Sequence, residues 1–393
     1  MKTDPFLKIK ICFITGSLSA GKTGVGDYTL LLAEACRGKG MTCHTLGLHD
    51  PQVEGRVEDG HSLCLSPDLP WKERLHAAKE WLDLLNPDWI SLQFVPYAFH
   101  SRGLFRNFLN TFPQLLQNRK LHIMFHEIWI GEFPGSPWVQ KAVGFLQKRY
   151  IAKLLETTKP RFVNHSCAGS QVRLQGAGID SSHLPIFGNV PPVEKANPRE
   201  FLELMSHAGL TLSLDERSEW WFVGFFGSIH DDWQVEPSLA PILEAADQLG
   251  KKIAVLSLGR LGKTVRKWEE IRKYQENKVK WVEIGELDPE DMSLCLHGLD
   301  YGLTSTPWDL VGKSGAIAAM VEHGTPVLVS VEGGTKDAPL VIGEPYRQLI
   351  HRADKGLRDA LVSGLPKASP RESLSAVADL FVEQLNENEK EVA

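Results

Sequence analysis

The chain has 393 residues, which is enough for two or three domains of ordinary size. Apolar residues make up 42% and charged residues 23%, as in globular proteins that bury a core. The net charge of -6 gives no general attraction to nucleic acid or anionic lipid, so nucleic acid is excluded as a partner and phosphate chemistry must rest on local sites.

The first half of the chain alternates short apolar runs with helix-like stretches. The opening run, residues 9–14, ends at Gly16 and predicts a buried parallel strand. Further strands are predicted over residues 42–48, 89–94, 121–125, 161–164 and 183–187. Helices are predicted over residues 27–36, 71–85, 103–116, 139–155 and 171–176.

The second half repeats this alternation after a polar stretch that begins with Pro191 and Pro192. Prolines lack an N–H donor and favour an extended chain, so this stretch is typical of a linker. Strands are then predicted over 221–226, 253–258, 279–284, 301–304 and 327–330. Helices are predicted over 201–207, 235–249, 265–276, 290–296, 315–323 and 371–385.

This pattern predicts an α/β protein with two Rossmann-like, doubly wound parallel-sheet domains that face a central cleft. The N-terminal domain is predicted over residues 1–192 and a linker over 193–215. The C-terminal domain follows over 216–365, with a C-terminal helix and tail over 366–393. Ligands of such sheets bind outside the carboxyl ends of the strands.

The cysteines and the hydropathy profile indicate a cytoplasmic location. None of the six cysteines forms a C-x-x-C pair, which is typical of buried reduced thiols. No run reaches the roughly 18 apolar residues of a membrane span, and the first residues lack the apolar core of a signal peptide. A peripheral membrane contact stays open, although no basic amphipathic stretch requires it.

Residues 16–23, GSLSAGKT, match the P-loop pattern G-x-x-x-x-G-K-[ST] and follow a strand. In a P-loop the helix begins at the lysine, here Lys22. Gly24 and Gly26 would each cost about 1 kcal/mol in a first helical turn, and the helical pattern resumes only at Asp27. No apolar strand ends in an aspartate that would hold magnesium. A P-loop nucleotidase is therefore an alternative that the context disfavours.

Several segments resemble glycosyltransferase family 4, a retaining family with the GT-B fold, in their order and spacing along residues 9–330. They are GVGDYT at 24–29, FHE at 125–127, PIFGN at 185–189, the strand and glycine turn at 222–228, GEL at 285–287, LDY at 299–301 and HGTPV at 323–327. The resemblance implies a nucleotide-sugar donor held mostly by the second domain. It also implies a saccharide, lipid or small-molecule acceptor on the first domain, and transfer with retention and without a metal or other cofactor.

The sequence departs from that family at four positions. Ser228 and Trp233 stand where the family commonly has an arginine and a lysine, and Val311 and Ala319 stand where it has two glutamates. A non-catalytic GT-B module that binds a sugar nucleotide or a partner enzyme therefore remains the second alternative.

The candidate residues for the sugar donor follow the strands of the second domain. Lys313, Ser314 and Gly315 precede a helix whose N–H groups suit a phosphate, with Lys313 as the cation. Further candidates for the diphosphate are Gly227, Ser228 and Arg260, and candidates for the base and ribose are Gly285 and Glu286. His230 is a further diphosphate candidate, and Glu322 is a candidate for the sugar hydroxyls because it lies one turn beyond Ala319.

The first domain supplies the candidate catalytic residues. His126 ends an apolar strand, where a neutral imidazole can orient an acceptor hydroxyl or the sugar. Glu127 is predicted to orient His126 or the acceptor. Gly24 and Gly26 are predicted to let the loop backbone approach the diphosphate. No histidine, cysteine or carboxylate cluster has metal-ligand spacing.

Overall fold

A computed structural model describes residues 9–133, 135–334 and 346–390. They fall into two compact units. The first unit runs to Pro185 and resumes at Leu374, and the second unit is Ile186–Ser373. Among the described residues, no helix combines the length and apolar character needed to cross a membrane.

The first unit is built on an eight-stranded sheet. Its strands are β1 (Lys10–Thr15), β2 (Thr42–Gly47), β3 (Arg56–Asp59), β4 (Ser62–Leu65), β5 (Trp89–Phe94), β6 (Lys120–Phe125), β7 (Phe162–His165) and β8 (Ser182–His183). Their order is β3-β4-β2-β1-β5-β6-β7-β8, and only the β3–β4 pair is antiparallel. The chain winds outward from β1 on one side and restarts with β5 on the other. This places the switch point of the sheet, where ligands of such sheets bind, between β1 and β5.

Helices cover this sheet on both faces, so its central strands are almost wholly buried. The helices are α1 (Gly24–Gly38), α2 (Trp71–Leu85), α3 (Arg106–Thr111), α4 (Pro113–Leu116), α5 (Trp138–Thr158) and α6 (Ala168–Gln175). Phe94 lies in the core, where its ring meets Phe105 and Phe125 edge-on at centroid distances of 5.0 and 5.4 Å.

The second unit is built on a six-stranded parallel sheet. Its strands are β9 (Trp220–Phe226), β10 (Lys252–Leu258), β11 (Val279–Gly285), β12 (Tyr301–Thr304), β13 (Val327–Val329) and β14 (Ile350–Arg352). Its helices are α7 (Pro198–His207), α8 (Leu214–Arg217), α9 (Val235–Leu249), α10 (Val265–Ile271), α11 (Pro289–Gly298), α12 (Gly315–Glu322) and α13 (Leu357–Ser363). The strand order β11-β10-β9-β12-β13-β14 places the switch point between β9 and β12.

The last helix, α14 (Leu374–Lys390), belongs to the first unit. The ring of Phe381 lies 5.7 Å from that of Phe13 in β1 and 5.1 Å from that of His122 in β6. The Lys39 ammonium pairs with Asp379 at 2.6 Å. The end of the chain therefore completes the core of the unit that its beginning forms.

The predicted fold class of two α/β parallel-sheet domains is confirmed, with local corrections. The helix expected from Asp27 begins at Gly24, because the Thr23 side chain caps it by accepting the Gly26 N–H at 3.0 Å. The helix expected over 103–116 is divided at Pro113, which has no N–H to continue it. The β3–β4 hairpin, α8, β14 and α13 were not predicted.

Candidate functional site

The carboxyl edge of the second sheet gathers most of the residues predicted to bind the sugar donor. We call this region the second edge: residues 227–230 after β9, 259–260 after β10, 285–286 at the end of β11, Ser305 after β12, and residues 313–315 at the start of α12, the helix that follows β12. Backbone bonds tie its segments together, since the Gly227 N–H donates to the Leu258 carbonyl and the Gly259 N–H to the Gly285 carbonyl. The topology therefore brings these candidates to one place.

Glycines with left-handed backbones lie at the carboxyl ends of three adjacent strands, directly after β9 and β10 and as the last residue of β11. Gly227, Gly259 and Gly285 have φ values of 81°, 76° and 77°, a region that other residues enter only with strain. A Cβ built on Gly227 or Gly285 would meet no atom within 4 Å, so both face open space. The edge therefore exposes backbone that a ligand can approach closely.

The turn after β9 is held by neutral hydroxyl groups. The His230 N–H donates to Ser305 Oγ at 3.0 Å, and the Ile229 N–H donates to Thr264 Oγ1 at 3.3 Å. Ile229 is buried, whereas Ser228 and His230 on either side of it are exposed. The turn therefore presents both predicted polar side chains to solvent.

Arg260 and Glu286 pair with each other across the second edge. The guanidinium donates twice to the carboxylate, at 2.6 and 2.7 Å, in the parallel fork geometry typical of arginine. This partner raises the pKa of Arg260. Both side chains are largely exposed, so the pair fixes their positions while leaving them accessible.

The start of α12 has the predicted helix-cap arrangement. Lys313 ends a short 3-10 segment, Trp308–Lys313, and Ser314 is the N-cap whose hydroxyl accepts the Ile317 N–H at 3.3 Å. A Cβ built on Gly315 would meet no atom within 4 Å. A lysine and the positive end of a helix dipole thus lie together at an open position.

Glu322 makes contacts inside the second unit. Its carboxylate accepts the Gly188 N–H at 3.0 Å and the Ser373 hydroxyl, and only 1% of the residue is exposed. Burial raises its pKa to about 7, against the lowering effect of those hydrogen bonds. Its described partners are thus the two ends of the second unit, and its predicted contact with sugar hydroxyls stays a prediction.

Three of the four departures from the family pattern are core residues. Trp233 is 1% exposed, and its Nε1–H donates to Ser330 Oγ at 3.1 Å. Val311 and Ala319 are buried in the apolar cluster of the same unit. Core packing therefore accounts for the side chains at these three positions, whereas Ser228 is exposed.

In the first unit, His126 lies directly after β6 and is buried. Its Nε2 lies 2.8 Å from Gln93 Oε1, and its ring meets Tyr28 of α1 edge-on at 4.8 Å. The backbone N–H groups of His126 and Glu127 both point to the Phe94 carbonyl, at 3.1 and 3.4 Å. Sequence reasoning missed Gln93 and Tyr28, which only the β5–β6 register and the orientation of α1 bring to His126.

Gly24 and Gly26 occupy the first turn of α1 in different surroundings. A Cβ on Gly26 would lie 2.6 Å from Thr23 Oγ1 and 2.7 Å from the Ser17 carbonyl, so this glycine is needed for packing. A Cβ on Gly24 would meet no atom within 4 Å. Gly24 is thus the open position of the two.

The segment that matches a P-loop is occupied by carboxylates of the chain itself. Asp50 Oδ2 accepts the Leu18 and Ser19 N–H groups at 2.8 and 3.1 Å. Asp27 Oδ1 accepts the Gly21 N–H at 2.7 Å. In a P-loop such N–H groups hold phosphate, and Lys22 here lies before the helix rather than within it. Within residues 9–133, 135–334 and 346–390, no group of three histidine, cysteine or carboxylate side chains is placed to hold a metal ion.

Comparison with known proteins gave matches to solved structures alone. No family model and no curated protein sequence matches the chain. Sucrose-phosphate synthase from Thermosynechococcus elongatus has 15% identity and a TM-score of 0.60, covering 98% of this chain and 100% of its own. The chain has the GT-B fold.

Two further GT-B structures match over similar lengths. HepE from Anabaena, solved with UDP-glucose, has 13% identity and a TM-score of 0.56 over 96% of this chain and 95% of its own. The catalytic domain of starch synthase IV from Arabidopsis thaliana, bound to ADP and acarbose, has 14% identity and a TM-score of 0.57 over 97% and 98%. Membership of family 4 within the GT-B fold stays a prediction.

Proposed function

We propose that the chain is a glycosyltransferase that moves a sugar from a nucleotide-sugar donor to an acceptor. The observation that carries this proposal is the fold match along almost the whole chain to proteins solved with UDP-glucose or with ADP. The second edge, with its open glycine turns and its cationic helix start, supports the same chemistry. A fold alone does not determine an activity, so the proposal also depends on the chemistry of the site residues.

The second edge is proposed to bind the sugar donor. The open backbone at Gly227 and the α12 start at Ser314–Gly315 suit a diphosphate, with Lys313 neutralising its charge. Ser228 and His230 add exposed hydrogen-bonding groups on the same turn. Arg260 is proposed to meet a phosphate of the donor. Gly285 and Glu286 are proposed to meet the base and ribose, where Glu286 accepts from ribose hydroxyls.

His126 is proposed to orient the acceptor hydroxyl or the transferred sugar, with Glu127 beside it on the loop after β6. Transfer is proposed to proceed with retention, as the family resemblance implies. It is proposed to need no metal, because Lys313 and helix N–H groups can stabilise a leaving diphosphate in place of a metal ion. Gly24, whose surroundings are open, is proposed to let the backbone of the first unit approach a phosphate.

An exposed face of α5 supports a peripheral membrane contact and with it a lipid acceptor. Trp138 and Phe145 are 78% and 60% exposed and lie seven residues apart, which places them on one side of the helix. Val139 and Leu146 repeat that spacing beside them, and the Arg149 guanidinium lies 5.7 Å from the Phe145 ring. Aromatic and basic residues on one helix face are typical of interfacial helices.

Thermal unfolding tests the donor part of the proposal. The protein is melted with UDP-sugars, ADP-sugars, GDP-sugars, the free diphosphates and ATP, each with magnesium and with EDTA. A ligand at 100 times its dissociation constant stabilises the fold by about 2.7 kcal/mol. A shift with one nucleotide sugar that EDTA does not reduce supports the transferase. A shift only with ATP and magnesium contradicts it and supports the P-loop nucleotidase.

Product analysis separates an active enzyme from a binding module. The stabilising donor is incubated with saccharide and lipid acceptors, and release of the nucleoside diphosphate is followed together with the anomeric configuration of the product. Release with a retained anomer supports the full proposal. Binding without release, over all acceptors and with water, supports the non-catalytic GT-B module.

A further inference from the structure

A chain of hydrogen bonds crosses the β5–β8 side of the first sheet and is buried except at its outer end, at Ser182. It starts on β8, passes through β7, β6 and β5, and ends at His126. Its members are Ser182, Asn164, His122, Ser91, Gln93 and His126. Four of its side chains are 0% exposed, in a region otherwise packed with apolar residues. Polar groups are costly there unless every donor meets an acceptor, so the directions of the bonds are tightly constrained.

The direction is set at the far end by a backbone carbonyl. The Asn164 side-chain amide nitrogen donates to the Ser182 carbonyl at 3.1 Å and to its hydroxyl at 2.8 Å. A carbonyl only accepts, so the amide orientation of Asn164 is fixed and its Oδ1 faces His122 Nε2, at 2.9 Å. His122 must therefore carry its proton on Nε2.

The remaining links follow one by one. Complete burial lowers the pKa of His122 to about 3, so its ring is neutral and its Nδ1 accepts the Ser91 hydroxyl proton at 2.9 Å. Ser91 Oγ then accepts from the Gln93 amide nitrogen at 2.7 Å. The Gln93 oxygen is left for His126, and an amide oxygen accepts only, so His126 Nε2 is the donor across 2.8 Å.

We infer that this chain fixes His126 as the Nε2–H tautomer, so that Nδ1 is its proton-accepting nitrogen, and that Gln93, Ser91, His122 and Asn164 are positioning residues for His126. The tautomer is independent of any reaction. We further infer that Nδ1 accepts a hydrogen bond from the hydroxyl group of the acceptor substrate, and this part rests on the proposed function. The tautomer of a site histidine is commonly set by the partner of its other nitrogen, and here that partner is itself set four links away.

Nitrogen NMR of the full chain labelled with ¹⁵N-histidine tests the tautomer directly. The spectrum is recorded at about pH 8, above the ordinary pKa of histidine, and the His126 signals are assigned by their loss in His126→Gln. The inference predicts one neutral form with the proton on Nε2. A proton on Nδ1, or comparable amounts of both forms, would overturn it.

Ser91→Ala tests whether the chain sets the tautomer. Without the hydroxyl, the Gln93 amide can reverse, and we expect both tautomers of His126 to be populated. Ser91→Thr keeps the hydroxyl and is expected to keep one tautomer. The matched control is Thr45→Val, because Thr45 is buried in β2 of the same sheet and also loses one hydroxyl bond, to Ser62 at 2.8 Å. A single Nε2–H form in Ser91→Ala would overturn the positioning role.

Activity gives a second, separate readout. Once a donor and acceptor are known, Ser91→Ala is expected to lower kcat several-fold with the KM for the sugar donor unchanged, and Ser91→Thr to restore it. An unchanged kcat alongside mixed tautomers would overturn the use of Nδ1. Absence of transfer by the unaltered protein would count against the proposed function, while the NMR result would still decide the tautomer.

Discussion

The loops that follow the first strand of each sheet differ in what holds their backbone N–H groups. After β1, the Leu18 and Ser19 N–H groups donate to the carboxylate of Asp50. After β9, the Ile229 and His230 N–H groups donate to neutral hydroxyls of Thr264 and Ser305. A carboxylate inside the first loop repels an incoming phosphate and takes its hydrogen bonds, whereas hydroxyls do neither. Equivalent positions in two related sheets therefore have opposite capacities for an anion.

From this difference we expect the more complete motif to be the poorer phosphate site. Residues 16–23 satisfy every letter of the P-loop pattern, yet the chain's own carboxylates fill the loop. Residues 227–230 match no phosphate motif, but their turn is open and lies at the sheet's switch point. A pattern of residue types reports the loop's composition and not which groups already occupy it.

Two buried carboxylates, one in each unit, extend the comparison to pH. Burial alone raises the pKa of Asp50, but hydrogen bonds from Leu18, Gln52, Ser19 and Ser17 lower it below its ordinary value. Burial also raises the pKa of Glu322, and there the hydrogen bonds are too few to reverse the effect, so the value reaches about 7. The two carboxylates are therefore expected to change stability with pH in opposite directions.

Asp50→Asn is expected to have the largest effect, a loss of about 3 to 4 kcal/mol of unfolding free energy at neutral pH, because a charged acceptor of several buried donors is removed. A group with a depressed pKa stabilises above its unfolded value and loses that contribution as pH falls through the folded value. The deficit of the variant should therefore shrink below about pH 4. Urea unfolding at several pH values measures it.

The control for this variant is Asp231→Asn, which changes an exposed aspartate of the second unit. It is expected to unfold like the unaltered protein. A small, pH-independent loss in Asp50→Asn would mean that Asp50 does not hold the first loop.

Glu322→Gln is expected to raise stability at alkaline pH. A carboxyl with a raised pKa favours the folded state less as pH rises from its unfolded value to its folded value of about 7. The amide avoids that loss, so the variant should be about 2 to 3 kcal/mol more stable than the unaltered protein at pH 8. The two proteins should unfold alike below about pH 4. A variant that is less stable than the unaltered protein at pH 8 would contradict this prediction, because it would show that the ionised carboxylate binds Gly188 and Ser373 better than an amide does.

Lys313→Ala compares the two loops by binding. Loss of one charged contact to a diphosphate is worth about tenfold in the dissociation constant of the sugar donor. Lys22→Ala, in the P-loop-like segment, and Lys355→Ala, an exposed lysine of the second unit, are expected to leave it unchanged. Calorimetric titration measures all three. If Lys22→Ala weakened donor binding and Lys313→Ala left it unchanged, the comparison between the two loops would be reversed.

Arg260→Ala is expected to have the smallest effect, a few-fold weaker binding of the sugar donor with no measurable loss of stability, because exposed ion pairs contribute little to folding. Glu286→Gln should weaken binding to a similar degree through lost contact with ribose hydroxyls, while keeping side-chain length. The matched control is Arg358→Ala, an exposed arginine that pairs with Asp359 away from the second edge. If all three variants bound the sugar donor as tightly as one another, the Arg260–Glu286 pair would not be part of the donor site.

The sequence predicted those features of the fold that depend on local pattern. The extents of α2 and α9 were predicted to the residue, because apolar spacing and flanking signals agree there. The β3–β4 hairpin was not predicted, because the residues of β3 are all exposed and leave no apolar period to read. The predicted start of α1 was wrong because it rested on the low helix propensity of Gly24 and Gly26 and did not consider the Thr23 cap.

The candidate site was predictable only as far as chain order allows. Residues after neighbouring parallel strands, such as Gly227, Arg260 and Glu286, meet because strand ends share one edge. The same rule could have predicted the contact of Asp50 with the loop after β1, because Asp50 follows β2 and β2 lies beside β1. Its carboxylate was not assigned to that loop from the sequence. Contacts set by register or side-chain rotation, such as Gln93 with His126, leave no signal in one sequence.

Hydrogen–deuterium exchange with UDP-glucose and ADP-glucose as probes tests the central contrast most directly. Slower exchange is predicted for residues 227–230 and for the first turn of α12. No change is predicted at Leu18, Ser19 and Gly21, whose N–H groups already donate to Asp50 and Asp27. Slowed exchange at those three residues with ATP and magnesium, and no change at the second edge with either sugar nucleotide, would contradict the account.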